Sequence, residues 1–295
     1  MLVGVTFIWS TNFIVGKALA DFPPIFLGTA RFAVAGVILE VIMYLQKSTI
    51  PTRDVWQKII FMGLTGVFIF NPLIYLGLHY TTSINATMIN SLSPLTVALL
   101  SHFWLKERLT APKITGLVLS IIGIAWIAGN GHLFNLMSLK LNPGDIIILL
   151  DTFVWAVYTI LIKLSSKHLT PVQSTAWAVW TGLIFLVPTS FIENVWLPLP
   201  SLTVSTGAAL IYLGLFPSVI AFFLWNTAVS KVGPTQAGIF YNLIPFFNAL
   251  LASQFLNESL MPYHMLGGFL IISGVIISSL PNFRFARFAR RTRPQ

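Results

Sequence analysis

Ser91 to Leu109 reads SLSPLTVALLSHFWLKERL, and Asn242 to Leu260 reads NLIPFFNALLASQFLNESL. The two stretches lie 151 residues apart and, laid together without a gap, agree at eight of nineteen positions. Shared leucines mean little in so apolar a chain. The pairs Pro94/Pro245 and Glu107/Glu258 mean more, because a proline and a glutamate recur thirteen residues apart in both copies within apolar surroundings. Self-similarity at a fixed offset is the mark of internal duplication. The register continues outward through Ala86/Ala237, Gly116/Gly267 and Gly123/Gly274. Near the start it shifts to 146, where Trp9 and Lys17 are matched by Trp155 and Lys163.

Of 295 residues 56% are hydrophobic and 8% charged, with mean hydropathy +0.84, against the roughly 25% charged of a soluble domain. The chain therefore reads as a membrane protein. Its apolar runs, about 17 to 23 residues long, suffice to cross a hydrocarbon core of about 30 Å as helices. Strict apolar/polar alternation is absent, so a β-barrel is not supported. Ten spans are expected, near 2–20, 26–45, 57–78, 84–104, 113–129, 145–164, 172–191, 206–229, 235–256 and 263–281. The fold class is an all-α membrane protein of ten transmembrane helices in two five-helix repeats, 1–129 and 145–281, with a connector at 130–144 and a basic tail at 282–295. Ala18-Leu19-Ala20 resembles a signal-peptide cleavage site. No basic segment precedes it, however, and span one has a counterpart deep in the chain.

Five crossings per repeat is an odd number, so the second copy enters the membrane from the opposite face. The halves must then be inverted, related by an axis in the membrane plane, which is the architecture of secondary transporters. Charge agrees. With the N-terminus inside, fourteen basic residues fall on the cytoplasmic side and three, Lys17, Arg31 and Lys140, on the other. The positive-inside rule places both termini in the cytoplasm of a multi-pass protein of the cell membrane. The arginine-rich tail suits anionic lipid. It lacks the interleaved aromatics and folded platform of a nucleic-acid binder.

The residues Trp9-Ser10, Asn12-Phe13 and Lys17, then Pro24 and Arg31-Phe32, then Pro94, Leu105 to Leu109, Gly116 and Gly123 resemble the drug/metabolite transporter superfamily, specifically its EamA-type ten-helix members. The resemblance covers almost the whole length. It implies a basket of two inverted five-helix bundles and export of small metabolites, amino acids among the commonest. Because the chain starts only eight residues before Trp9, a trimmed start is expected.

Polar groups within apolar spans are the default functional candidates, since an ionised side chain at mid-bilayer costs roughly 2.5–3.5 kcal/mol on insertion scales. Asp151 shares a helix face with Trp155 and Tyr158 and could hold an amine or a proton; capping by nearby hydroxyls is the alternative. Pro94 and Pro245 interrupt their helices and act as hinges. The polar residues around those kinks, Asn90, Tyr241 and Asn242, are expected on the solute path, with Trp9, Asn12, Asn71, Tyr75 and Asn226. Helix-to-helix hydrogen bonding would equally explain the asparagines. Glu107 and Glu258 are read as structural, bonding the start of the following helices near Pro112 and Pro262. Lys17 is expected to bridge to Asp21 one turn on, Glu40 to sit at the cytoplasmic end of span two, and Arg31 to snorkel at its outer end. Trp56, Trp104 and Trp196 are expected as interfacial anchors.

No cysteine is present, and the histidines have no partner at metal-ligand spacing, so neither metal nor cofactor is expected. No phosphate-binding loop or nucleophile–base arrangement can be assembled, so no enzyme is expected. The reading is a secondary transporter exporting an amino acid or related solute by alternating access. Its partners would be that small molecule and the lipid bilayer, with protons a candidate coupling ion, no nucleic acid, and an open oligomeric state. A nucleotide-sugar or phosphate-ester carrier would ask for several intramembrane cations. A lipid-modifying enzyme would ask for a polar cluster near one interface.

Overall fold

The computed structural model describes residues 1–129, 131–132, 142–255, 261–278 and 280. Glu258 and the arginine-rich tail lie outside the described residues. The described chain is helical, and its helices group into ten rods. The first half comprises α1 (Leu2–Ala18), α2 (Pro24–Leu45), α3 (Trp56–Gly63) continued by a π-helical turn (Leu64–Ile69) into α4 (Phe70–Tyr80), α5 (Ser83–Asn90) broken from α6 (Ser93–Leu105), and α7 (Ala111–Ala128). The second half repeats the plan. It has α8 (Pro143–Ser165), α9 (Pro171–Trp196), α10 (Val204–Leu213) with a π-helical turn (Gly214–Ala221) into α11 (Phe222–Val232), α12 (Pro234–Tyr241) broken from α13 (Leu243–Phe255), and α14 (Pro262–Ser278). Five rods run 22 to 29 residues with mean hydropathy from 1.5 to 2.1, enough to cross a bilayer core.

Several helices start earlier than the apolar pattern suggests, and they start on proline. Pro24, Pro143, Pro171, Pro234 and Pro262 open α2, α8, α9, α12 and α14. At the first helical position the missing N–H has no partner to lose, and the fixed φ suits a helix. Capping boxes reinforce two of these starts. Asn142 and Asp145 exchange side-chain bonds with each other's backbone N–H at α8, and Thr170 and Gln173 do so at α9. The start of α2 is capped from afar, where the Glu193 carboxylate accepts from the Ile25 and Phe26 amides at 3.0 and 2.8 Å.

The inverted relation of the halves is visible where α7 meets α14. A Cβ on Gly116 would lie 2.4 Å from the Gly274 carbonyl oxygen, and one on Gly123 would lie 2.7 Å from that of Gly267. Between them Ser120 Oγ donates to the Ile271 carbonyl at 3.4 Å. The helices thus run antiparallel. Repeat equivalence exchanges the outer contacts, Gly116–Gly274 with Gly267–Gly123, and maps the central pair Ser120/Ile271 onto itself. Only a two-fold axis perpendicular to both helices does this, and for membrane-spanning helices such an axis lies in the membrane plane. Small residues let the two backbones touch. A second mark of the axis is the pair Trp9 and Trp155, 5.2 Å apart and edge to face.

The two ends of the bundle differ. At the end holding Lys17, the start of α8 is pressed onto the end of α4. A Cβ on Gly144 would come within 2.7 Å of the Gly77 oxygen, and Thr81 Oγ1 donates to Asp145 Oδ1 at 3.0 Å. At the end holding Met1, a recess of ≈ 670 Å³ opens between the starts of α3 and α12 and the ends of α6, α8 and α11. It carries Lys58, Lys163, Lys167 and Lys231 against one glutamate, Glu107.

Candidate functional site

The middle of the molecule is aromatic. Trp9 is the eighth of 17 residues in α1 and Trp155 the thirteenth of 23 in α8, so the repeat brings two mid-helix indoles together on its axis. Trp225 lies 5.2 Å from Trp9 and 5.6 Å from Trp155, Tyr241 lies 5.7 and 5.9 Å from them, and Phe70 stacks on Trp155 at 4.5 Å. Trp9 Nε1 donates to the Pro217 carbonyl at 3.2 Å. Trp155 Nε1 and Trp225 Nε1 are buried without a protein acceptor among the described residues.

These rings surround a cavity of ≈ 10 Å³ whose walls include Trp9, Asn12, Arg31, Asn71, Trp155 and Tyr241. That is room for about one water, so the centre is closed.

Polar side chains ring the aromatic centre in two matching sets. In the first half Arg31 Nη1 donates to Asn12 Oδ1 at 2.8 Å and to the Tyr75 hydroxyl at 2.9 Å, and the Tyr75 hydroxyl donates to Asn12 Oδ1 at 3.2 Å. In the second the Tyr158 hydroxyl donates to Asn226 Oδ1 at 3.1 Å, and Asn226 Nδ2 donates to Thr175 Oγ1 at 2.8 Å. Each set ties the first, second and third rods of its half. The partners are repeat-related, Asn12 with Tyr158 and Tyr75 with Asn226.

The π-helical turns sit beside these ties, at equivalent places in rods three and eight. Pro217 has no N–H to give to the carbonyl four residues back, Leu213, and Ser218 Oγ donates to that oxygen instead at 2.8 Å. In rod three Asn71 Nδ2 donates to the Gly66 and Val67 carbonyls at 3.1 and 3.4 Å. Asn71 therefore serves its own helix while lining the cavity. Departures of this kind recur at functional sites.

Asp151 is fully buried, eight residues or about 12 Å along α8 from Pro143. Its Oδ2 accepts from Asn90 Nδ2 at 3.1 Å, and Ser93 Oγ donates to Asn90 Oδ1 at 3.0 Å. Its Oδ1 has no partner among the described residues. The carboxylate is thus wired to both sides of the break between α5 and α6. In the equivalent break, buried Asn242 leaves both side-chain polar atoms without a partner among the described residues. Pro94 and Pro245 fall in the first turns of α6 and α13.

Three expectations are corrected. Arg31 does not snorkel. It is 1% exposed, donates from Nε to Ser218 Oγ at 2.7 Å as well as to Asn12 and Tyr75, and lies over the Phe32 ring at 4.9 Å. Its face of α2 packs against the second half's π-helical turn. Lys17 does not pair with Asp21. Its ammonium donates to the Leu78 and Thr81 carbonyls at 2.8 and 2.9 Å, closing the end of α4, as Lys163 closes α11 through Ser230 at 2.8 Å. The Glu107 carboxylate accepts from Lys113 Nζ and from the Thr235 hydroxyl, both at 2.8 Å. It therefore meets the start of the following helix beside Pro112 through the Lys113 side chain rather than through a backbone donor, and it also reaches the start of α12 in the other half. Half-buried Trp56 also packs edge to face against Trp177 at 5.2 Å.

Comparison with known proteins follows the same division of the chain. The profile described as "EamA-like transporter family" matches residues 1–129 and again 142–280. An uncharacterized transporter of Archaeoglobus fulgidus is 31% identical over 92% of this chain and 93% of its own. The uncharacterized transporter YyaM of Bacillus subtilis is 26% identical over 95% and 92%. A probable terminal-alkyne amino-acid exporter of Streptantibioticus cattleyicolor is 26% identical over 92% of each chain. A crystal structure superposes with a TM-score of 0.75 over 94% of this chain and 95% of that one at 19% identity, a likeness of fold.

Proposed function

Because the chain belongs to the EamA-like transporter family, a family of multi-span membrane transporters of small solutes, we propose that it exports an amino acid or a closely related metabolite. Transport proceeds by alternating access through the aromatic centre. The observation that carries the reading is the contact of Trp9 with Trp155 between the halves, with a buried acid, Asp151, one turn before Trp155 in α8, whose Oδ1 has no partner among the described residues. The indoles offer flat apolar faces to a side chain, and the carboxylate offers a seat for an amine or a proton. The amino-acid exporter among the relatives supports the same class.

In this reading residues 1–129 and 145–281 are the two rocking halves, and the breaks before Pro94 and Pro245 are their hinges. Nine basic residues at the Met1 end, among them Lys58, Lys106, Lys163 and Lys231, support a cytoplasmic position for that end. A phosphate-ester carrier has one observation in its favour, the four-lysine recess.

Counterflow with purified protein in liposomes tests both readings. Exchange of amino acids without chemical conversion is expected; exchange of sugar phosphates alone would favour the second reading, and conversion of the solute would contradict both. If protons are the coupling ion, Asp151→Asn removes the dependence of efflux on an imposed pH gradient. Unchanged efflux at every pH takes Asp151 out of the mechanism.

A further inference from the structure

We propose that Arg31 seats an acidic group of the transported solute, a carboxylate or a similar planar oxyanion, through Nη2. The assignment rests on the reading of the aromatic centre as the solute site. Arg31 is buried at the cavity, about 10 Å along α2 from Pro24. A guanidinium has five N–H donors. Three are engaged, one from Nε and two from Nη1, all to neutral oxygens of Ser218, Asn12 and Tyr75. Nη2 has no acceptor among the described residues. The described ion pairs are Lys113–Glu107 and His168–Asp54, so the buried cation has no carboxylate of its own.

Three further arguments separate a ligand role from a structural one. First, the second half ties the same three rods with neutral groups only, Tyr158, Asn226 and Thr175. The tie needs no charge. Second, a buried charge left uncompensated is costly, and within the membrane such residues mark solute or ion paths. A guanidinium, unlike an acid or an amine, cannot relieve that cost by changing its protonation in a protein. It calls for an anion. Third, the fork is held fast: Nε and Nη1 are pinned, which aims Nη2, and the Phe32 ring lies under the group at 4.9 Å. Preset geometry of this kind is what arginine supplies to planar oxyanions. Asp151, the acid to which the proposed function assigns an amine or a proton, lies on α8 of the other half, so one solute carrying an acid and an amine would engage both halves.

The test uses L-phenylalanine and L-phenylalaninamide, which differ in the acid alone, on the full-length protein, Arg31→Gln and Arg31→Lys. Wild type is expected to favour the acid by about tenfold or more in KM for counterflow, the worth of one charge-assisted bond. Arg31→Gln should erase that preference while still moving the amide. Arg31→Lys keeps the charge without the fork and should retain only part of the preference; it also serves if the glutamine variant does not fold. Equal KM for the acid in wild type and both variants would overturn the proposal. Tryptophan fluorescence, read on the same proteins with the same probes, separates this assignment from the transport reading. Acid-specific quenching that Arg31→Gln abolishes, without counterflow of any amino acid, would keep the anion seat and contradict the exporter. Quenching by the acid that is identical in wild type and variants would overturn the seat itself.

Discussion

Asn226 shows how much one side chain can hold in this core. It accepts from Tyr158 and donates to Thr175, joining three rods of the second half with everything buried. Asn226→Ala leaves the Tyr158 phenol with no partner among the described residues, while Thr175, which loses the bond from Nδ2, still donates to the Pro171 carbonyl at 2.8 Å. An unsatisfied buried polar group costs about 1–3 kcal/mol, so the variant should unfold at a lower temperature in detergent micelles; an unchanged midpoint would mean the tie contributes nothing. Arg31 teaches the complementary lesson about reading residues singly. Its membership of span two was legible from the sequence, but not its burial, since at the outer end it is expected to snorkel. What it touches was not legible either, because Asn12, Tyr75 and Ser218 come from three other rods up to 187 residues away. The same limit applies to Glu107. Its position before a turn was plain, yet its partner Thr235 is 128 residues distant, and no local spacing encodes that distance.

At the scale of elements, glycine decides which rods can touch. In the α7–α14 contact a Cβ on Gly274 would lie 2.4 Å from Ser120 Oγ and 2.5 Å from the Gly116 oxygen, and a backbone cannot step aside. Gly274→Ala should therefore cost about 1–3 kcal/mol through overpacking. Gly4 and Gly207 are the internal controls, since a Cβ at either meets nothing within 4 Å. Alanine there should be neutral or stabilise by up to about 1 kcal/mol through helix propensity. Thermal unfolding of the three variants checks the contrast, and a Gly274→Ala protein as stable as Gly207→Ala would remove backbone contact as the reason for these glycines. The sequence signal of this packing is the seven-residue spacing of Gly116/Gly123 and Gly267/Gly274. The π-helical turns were not readable. They leave the apolar pattern of spans three and eight intact, and their signature lies in Pro217, Ser218 and Asn71, whose side chains matter through the carbonyls they meet.

For the whole molecule the duplication carried the most information. An offset of 151 with an odd number of crossings implies inversion, and the exchanged contacts of α7 with α14 realise it. Two halves of one plan need not hold one conformation. Here the Lys17 end is closed between α4 and α8 by Gly77, Gly144 and the Thr81–Asp145 bond, with a recess of ≈ 220 Å³ beside Ala20 to Pro24, while the Met1 end opens into the lysine-lined recess of ≈ 670 Å³. Exchange of these two conditions between the ends is alternating access. The absence of cysteine throughout the chain makes the exchange directly measurable with spin labels on introduced cysteines. One pair at Lys58 and Lys231 would span the recess, and a second at Tyr80 and Ile146 would span the closed end. Distances recorded with and without the proposed amino-acid solute should shift in opposite senses, the first pair closing as the second opens. Movement of both pairs in the same sense, or of neither, would contradict the account.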